Sequence, residues 1–394
     1  MPRHPSTSPA LDDVTASVYS ALAERALRAG TEVFPFHVGD TYLAPAPACR
    51  MENLREADFP GMHRYTSPQG WPPLIAALTE QATRRTGLPH SPDQILVGAG
   101  ATGALGAVVG ALADPGEEIL ILAPFWPLIG GIVKSFRAVP VPVPCLAGEV
   151  DDPDSLRRVL EAHLSPRSVA VYLNTPSNPA GRVLPPDWVE TIVDFARRYD
   201  LWILSDEVYE DLVYVGEHLP TRRLAPERTI SAHSFSKSYG LTGTRCGWLV
   251  GPAPALEAAR KISTNTVYST PTPSQISGLK ALEGHADAWL TDARERYRQA
   301  GAAAARRLGI AAPEGSTFLF LDIREALGGD GLGAFLERAA DRGLLVAPGP
   351  SFGPYPTHIR LCFTAAPADV VSRGVEVLAE LLSPPSDLGG PSSR

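Results

Sequence analysis

Lysine is scarce in this chain of 394 residues, occurring only as Lys134, Lys237, Lys261 and Lys280 among 35 basic residues. Arginine therefore carries most of the positive charge, and a lysine set in a motif is correspondingly informative. Cysteine is as rare. Cys49, Cys145, Cys246 and Cys362 are spread along the chain with no C-x-x-C pair, which argues against a metal site and against a disulfide framework. No run approaches the roughly 18 apolar residues that a membrane span requires. The opening MPRHPSTSPA has no apolar stretch of the secretory kind, so a cytoplasmic location is the default expectation. A basic stripe is also missing: the formal charge is -8, with acidic and basic residues interspersed, which argues against nucleic acid as a partner.

What is present suits a soluble enzyme, with 44% hydrophobic and 20% charged residues. The length exceeds what one core usually serves, so two domains are expected. Pro/Ser-rich ends, 1–10 and 384–394, read as flexible tails. From about residue 71, short apolar runs alternate with helical stretches. Strands are expected over 95–97, 118–122, 139–143, 169–174, 201–206, 229–235 and 246–250, and helices over 74–85, 102–113, 154–163 and 187–199. That rhythm implies an α/β fold with a mostly parallel seven-stranded sheet between helices. After about residue 270, helices over 281–308, 333–342 and 368–382 and strands over 318–322, 344–347 and 358–363 suggest a smaller α+β domain. A helix over 11–29 is expected to dock on that domain or on a neighbouring subunit. The division is then 45–270 for the large domain and 11–44 with 271–383 for the small one.

In an open α/β sheet, ligands bind beyond the carboxyl ends of the strands. Polar residues following the apolar runs are thus the candidates: Asn174 and Asn178 in N-T-P-S-N-P-A-G, Asp206 with Glu207 and Tyr209 in S-D-E-V-Y, and Ser234, Ser236 and Lys237 in S-F-S-K, with Arg245 beyond. An amine attacks an aldehyde only when unprotonated, and apolar or cationic neighbours favour that state; Phe235, Tyr239 and Arg245 are candidates to supply them for Lys237. A carboxylate at Asp206, buried in a sheet crevice, needs a cationic partner to stay ionised, and a helix N-cap is the plainer alternative. G-A-G-A-T-G-A-L over 98–105 is a glycine-rich loop entering a helix, suited to an anion. It lacks the Walker lysine and the acidic residue of a dinucleotide site, so one phosphate held by backbone and Thr102 is the simpler reading.

These residues resemble the class I/II aminotransferases, which depend on pyridoxal 5'-phosphate (PLP) and have the fold type I architecture. The resemblance rests on R-Y-T-S-P-Q-G (64–70), G-A-G-A-T-G-A-L (98–105), P-G-E-E-I-L-I-L-A-P-F-W-P (115–127), N-P-A-G (178–181), S-D-E-V-Y (205–209), S-F-S-K-S-Y-G-L-T-G-T-R-C-G (234–247) and H-I-R-L-C-F (358–363). It implies that Lys237 holds the cofactor as a Schiff base and moves the substrate Cα proton. It further implies Asp206 on the ring nitrogen, Asn178 and Tyr209 on the phenolic oxygen, and Trp126, or its neighbour Phe125, against the ring. Ala101, Thr102, Ser234, Ser236 and Arg245 would hold the phosphate, joined by Tyr65 from the second subunit of a homodimer. Arg360 and Gly39 would hold the substrate carboxylate, a planar target suited to a guanidinium.

The reaction so implied moves the amino group of an L-amino acid to a 2-oxo acid by way of the pyridoxamine form. Elimination, decarboxylation or cyclisation on the same fold is the alternative that the residues leave open. The chain departs from the family at G-D-T-Y-L (39–43), where G-E-P-D-F is common, which is expected to alter the pocket wall. No second basic residue matches the one that binds a side-chain carboxylate in dicarboxylate-specific members. Tyr19, Tyr42 and Tyr268 remain as further candidates for the pocket.

Overall fold

The computed structural model describes residues 7–9, 12, 14, 20–28 and 30–383. Tyr19, most of the two expected tails and part of the expected 11–29 helix lie outside them. The described part of that helix, α1 (Ser20–Arg28), docks through Arg25, which pairs with Glu337 and Asp341.

The strands of the large sheet are β1 (Ile95–Ala99), β2 (Glu118–Ala123), β3 (Val139–Pro144), β4 (Ser168–Asn174), β5 (Trp202–Asp206), β6 (Thr229–Ser234) and β7 (Cys246–Val250), in the order β1-β7-β6-β5-β4-β2-β3. All neighbours are parallel except β7, which runs against both β1 and β6. The helices that cover it are α2 (Pro72–Thr86), α3 (Gly100–Leu112), α4 (Pro127–Ser135), α5 (Pro153–His163), α6 (Pro186–Arg198), the single turn α7 (Phe235–Ser238) and α8 (Ala253–Thr266). β2 shows why both faces are covered. After Glu118 its residues are apolar throughout I-L-I-L-A: Ile119 and Ile121 join one core with α3, α4 and α8, whereas Leu120 and Leu122 join another with α5 and α6. Successive side chains point to opposite faces, so a strand buried on both reads as a continuous apolar run. Each fully buried aliphatic side chain stabilises by about 1.5–3 kcal/mol.

Beyond α9 (Thr272–Lys280), the expected helix over 281–308 is divided. A wide turn over Ala281–His285 breaks at Gly284, whose φ of +89° lies in the left-handed region, and α10 spans Asp287–Leu308. Next come β8 (Phe318–Asp322), α11 (Arg324–Leu327), α12 (Gly331–Asp341), β9 (Ala347–Pro348), β10 (His358–Cys362) and α13 (Ala368–Leu382). The second sheet is antiparallel in the order β8-β10-β9. A strand expected over 344–347 is reduced there to β9, and Leu344 makes one parallel bridge to Phe34. The chain over 34–42 runs along β10, held by the Cys362 amide on Phe36 O at 2.8 Å and the Tyr42 amide on Thr364 O at 3.0 Å. That strap carries His37, Val38 and Gly39 to the carboxyl edge of the large sheet.

Candidate active site

The carboxyl ends of β4, β5 and β6 deliver Asn174, Asp206 and Ser234 to one edge. β7 is reversed, so its amino end lies at that edge too and brings Arg245 there. A cavity of about 510 Å³ opens between this edge and β10. Gly39, Ala101, Thr102, Trp126, Asn178, Asp206, Tyr209, Ser234, Ser236, Lys237, Arg245 and Arg360 all line it. Tyr65, assigned to the phosphate by the resemblance, stands elsewhere, 86% exposed and edge-on to Tyr268 with ring centroids 5.1 Å apart.

One end of the cavity is built for an anion. α3 begins with no side-chain cap at Ala99, so the amides of its first turn, Ala101 and Thr102 included, lack intrahelical acceptors. Ser236 N donates to Ser234 Oγ at 3.1 Å, and the two hydroxyls are 2.9 Å apart. Gly100, at φ +69°, admits the Arg245 guanidinium: a Cβ there would sit 2.5 Å from a terminal nitrogen. Arg245 itself holds a left-handed φ of 52° and donates to Thr242 O at 3.0 Å.

Lys237 follows directly. Its Nζ donates to Gly39 O at 2.5 Å. Burial lowers the pKa of its ammonium; Asp40 opposes that shift, and Arg360 and Arg245 reinforce it. The sequence expectation for its neighbours holds only for Arg245, because Phe235 and Tyr239 turn away to pack with Trp248. Asp206, 3% exposed, has a pKa raised to about 6 by burial, against a hydrogen bond from Tyr172 that lowers it. The Tyr172 hydroxyl donates to its Oδ2 at 2.8 Å, and Asn174 Nδ2 donates to its backbone carbonyl at 2.8 Å. Tyr209 is buried with its hydroxyl pKa raised by burial. Trp126 is on the cavity wall, whereas Phe125 belongs to the core under α4. Arg360 donates to Asn178 Oδ1 at 3.0 Å and to His37 O at 2.6 Å, with Phe318 and Phe352 ring centroids 4.3 and 4.8 Å from its Cζ.

The family model for aminotransferase class I and II matches residues 31–378. This protein belongs to that family. Among curated relatives of this aminotransferase, the aspartate/prephenate aminotransferase of Thermus thermophilus is 32% identical over 84% of this chain and 86% of its own length. The arginine–pyruvate transaminase of Pseudomonas aeruginosa is 33% identical over 87% and 88%. The Thermus thermophilus aspartate aminotransferase solved with maleate superposes with a TM-score of 0.86, at 29% identity, over 96% of this chain and all of that one. PLP is the cofactor of the family, and the residues of this aminotransferase fit it on their own terms: an uncapped helix start with a guanidinium beside it, a buried carboxylate hydrogen-bonded by a neutral phenol, and an amine disposed to lose its proton.

Several residues of the aminotransferase site were not singled out from sequence. His37, Val38, Pro127, Leu128, Val208 and Thr242 also line the cavity, and Tyr172 lies just behind it. Proximity was the available signal, since each stands within two residues of a candidate or inside a quoted motif. The substituted segment Asp40–Leu43 is not in the cavity wall. Thr41 instead meets the Tyr297 hydroxyl, and Tyr42 lines a separate groove against α10 and α13. Among the described residues no helix is long and apolar enough to cross a membrane.

Proposed function

We propose that this aminotransferase takes its amino group from an L-amino acid with an uncharged, predominantly apolar side chain, and that it does so at the cavity floored by Lys237. The carrying observation is the juxtaposition of Lys237 with Arg360 and Asp206 in one cavity whose wall also presents the apolar side chains of Val38, Trp126, Pro127 and Leu128. Val38 and Leu128 are 46% and 51% exposed, apolar surface available to a side chain of the same kind. Bound PLP supplies an electron sink that makes the substrate Cα–H acidic.

The chain's own residues supply the rest of the reading. Lys237 would hold the cofactor covalently through Nζ, and once displaced it would take and return the proton at the substrate Cα; its lowered pKa suits a base near neutral pH. Ala101, Thr102, Ser234, Ser236 and Arg245 would hold the phosphate, Asp206 the ring nitrogen, and Asn178 and Tyr209 the phenolic oxygen. Trp126 would cover one ring face. Arg360, supported by Asn178 and the His37 carbonyl, would orient the α-carboxylate, with Gly39 beside it. Tyr65 would complete the phosphate site of a second copy in a homodimer.

The test is to incubate the PLP-loaded protein with single L-amino acids and identify the released 2-oxo acids by mass. Aromatic and aliphatic donors are expected to react faster than aspartate and glutamate, and K237A is expected to lose at least about a thousandfold in rate. Faster reaction with aspartate would overturn the donor assignment. Absence of any 2-oxo acid would overturn the transamination itself.

A further inference from the structure

Tyr172 touches the site from behind. β4 and β5 are parallel and pair Asn174 with Asp206 and Tyr172 with Leu204, so Tyr172 stands one pleat repeat back from Asp206 on the same face of the sheet. It is fully buried in an apolar cluster that includes Ala104, Ile121, Leu204 and Ala232. A hydroxyl in such surroundings is costly unless it is hydrogen-bonded, and phenylalanine would fill the same space without one. The bond that the hydroxyl makes is to Asp206 Oδ2, at 2.8 Å.

Burial keeps the phenol protonated far above neutral pH, so Tyr172 is the donor to the ionised carboxylate. Oδ2 is thereby occupied, whereas Oδ1 receives, among the described residues, only a long contact of 3.4 Å from the Val208 amide. The Asp206 backbone is fixed from the same neighbouring strand by Asn174. We propose that Tyr172 is a positioning residue for the cofactor, locking the Asp206 carboxylate so that Oδ1 is presented to the pyridine nitrogen of PLP. The inference rests on the assignment of Asp206 to that nitrogen.

Equilibrium binding separates the two. PLP and its 1-deaza analogue, in which a C–H replaces the ring nitrogen, are titrated into apoprotein of the wild type, Y172F, D206A and the double variant. A hydrogen bond to a charged acceptor removed by Y172F is expected to weaken PLP binding on the order of tenfold. The analogue, with no nitrogen to meet Oδ1, is expected to lose less than about twofold. In the D206A background Y172F should bring no further loss. Equal weakening of both ligands would mark Tyr172 as a packing residue, and unchanged affinities would show that the bond does not reach the cofactor; either overturns the proposal. Should D206A bind PLP as tightly as wild type, the Asp206 assignment itself fails. Apoprotein melting of each variant shows that it is folded before it is titrated.

Discussion

Asp206 occupies a place where a lone carboxylate is expensive. Its folded pKa of about 6 lies above the unfolded value near 3.9, so the folded apoprotein binds more protons between the two. Its contribution is most favourable at or below about pH 4 and declines as pH rises through about 6. Apo D206N, whose amide oxygen still accepts from Tyr172, is therefore expected to exceed wild-type stability by roughly 1–3 kcal/mol near neutral pH and by almost nothing at about pH 4. Urea unfolding at the two pH values measures this, and a difference independent of pH would refute it. The site was legible at this scale wherever a polar residue ended an apolar run, as at Asp206, Asn178 and Lys237. Tyr172 was hidden because a tyrosine inside V-A-V-Y-L reads as core, and only the three-dimensional register brings its hydroxyl to a carboxylate. Leu128 and Val38 were hidden because an apolar side chain facing a cavity and one facing a core look alike in sequence.

At the scale of elements, the end of β5 and the residue after it send two successive carboxylates, Asp206 and Glu207, to opposite sides. Asp206 lines the cavity, and Glu207 joins a buried group behind it, accepting from Ser205, Thr221 and His218. Glu210 lies beside it, paired with Arg85 at the end of α2 and with His233 of β6 at 2.8 Å. Burial opposes ionisation of Glu210, but Arg85 and His233 outweigh it and hold the carboxyl below its ordinary range. Its stabilisation is thus present above pH 4.3 or so and is lost as pH falls through the depressed folded value. E210Q leaves Arg85 with Asp211, at 2.8 Å, as its remaining carboxylate, so the variant is expected to destabilise by about 1–3 kcal/mol near neutral pH, measured as a lower denaturation midpoint; an unchanged midpoint would mean that Asp211 alone compensates Arg85. Strand order could not be read from the chain, but the strands themselves could. Among the longer helices three could not: α4 carries two adjacent glycines, α8 opens on A-P-A-L, and α9 buries Thr272, Ser274, Gln275 and Ser277. Small polar residues on a buried face erase the apolar stripe by which a helix is recognised. On α9 they have a steric reason, since a Cβ at Gly278 would lie 2.5 Å from Phe235.

At the scale of the whole molecule, Tyr65 is exposed and lies outside the cavity of its own chain. The proposed homodimer predicts a solution mass about twice 41.9 kDa by light scattering. It also predicts that mixed dimers of Y65A and K237A chains contain one site with both residues intact, and so bind PLP more tightly than either parent. Affinities that only average those of the parents would remove Tyr65 from the neighbouring site. A different consequence follows from the order of the sheet. β1, the first strand of the large sheet to leave the ribosome, sits at the sheet edge, and its sole strand partner is β7, the last to be made. Some 150 residues must therefore be synthesised before residues 95–99 find their place, and the Arg360 strand follows later still. A chain stopped ahead of residue 246 would thus leave β1 without its partner strand and the edge of β6 open, a template for pairing with other chains.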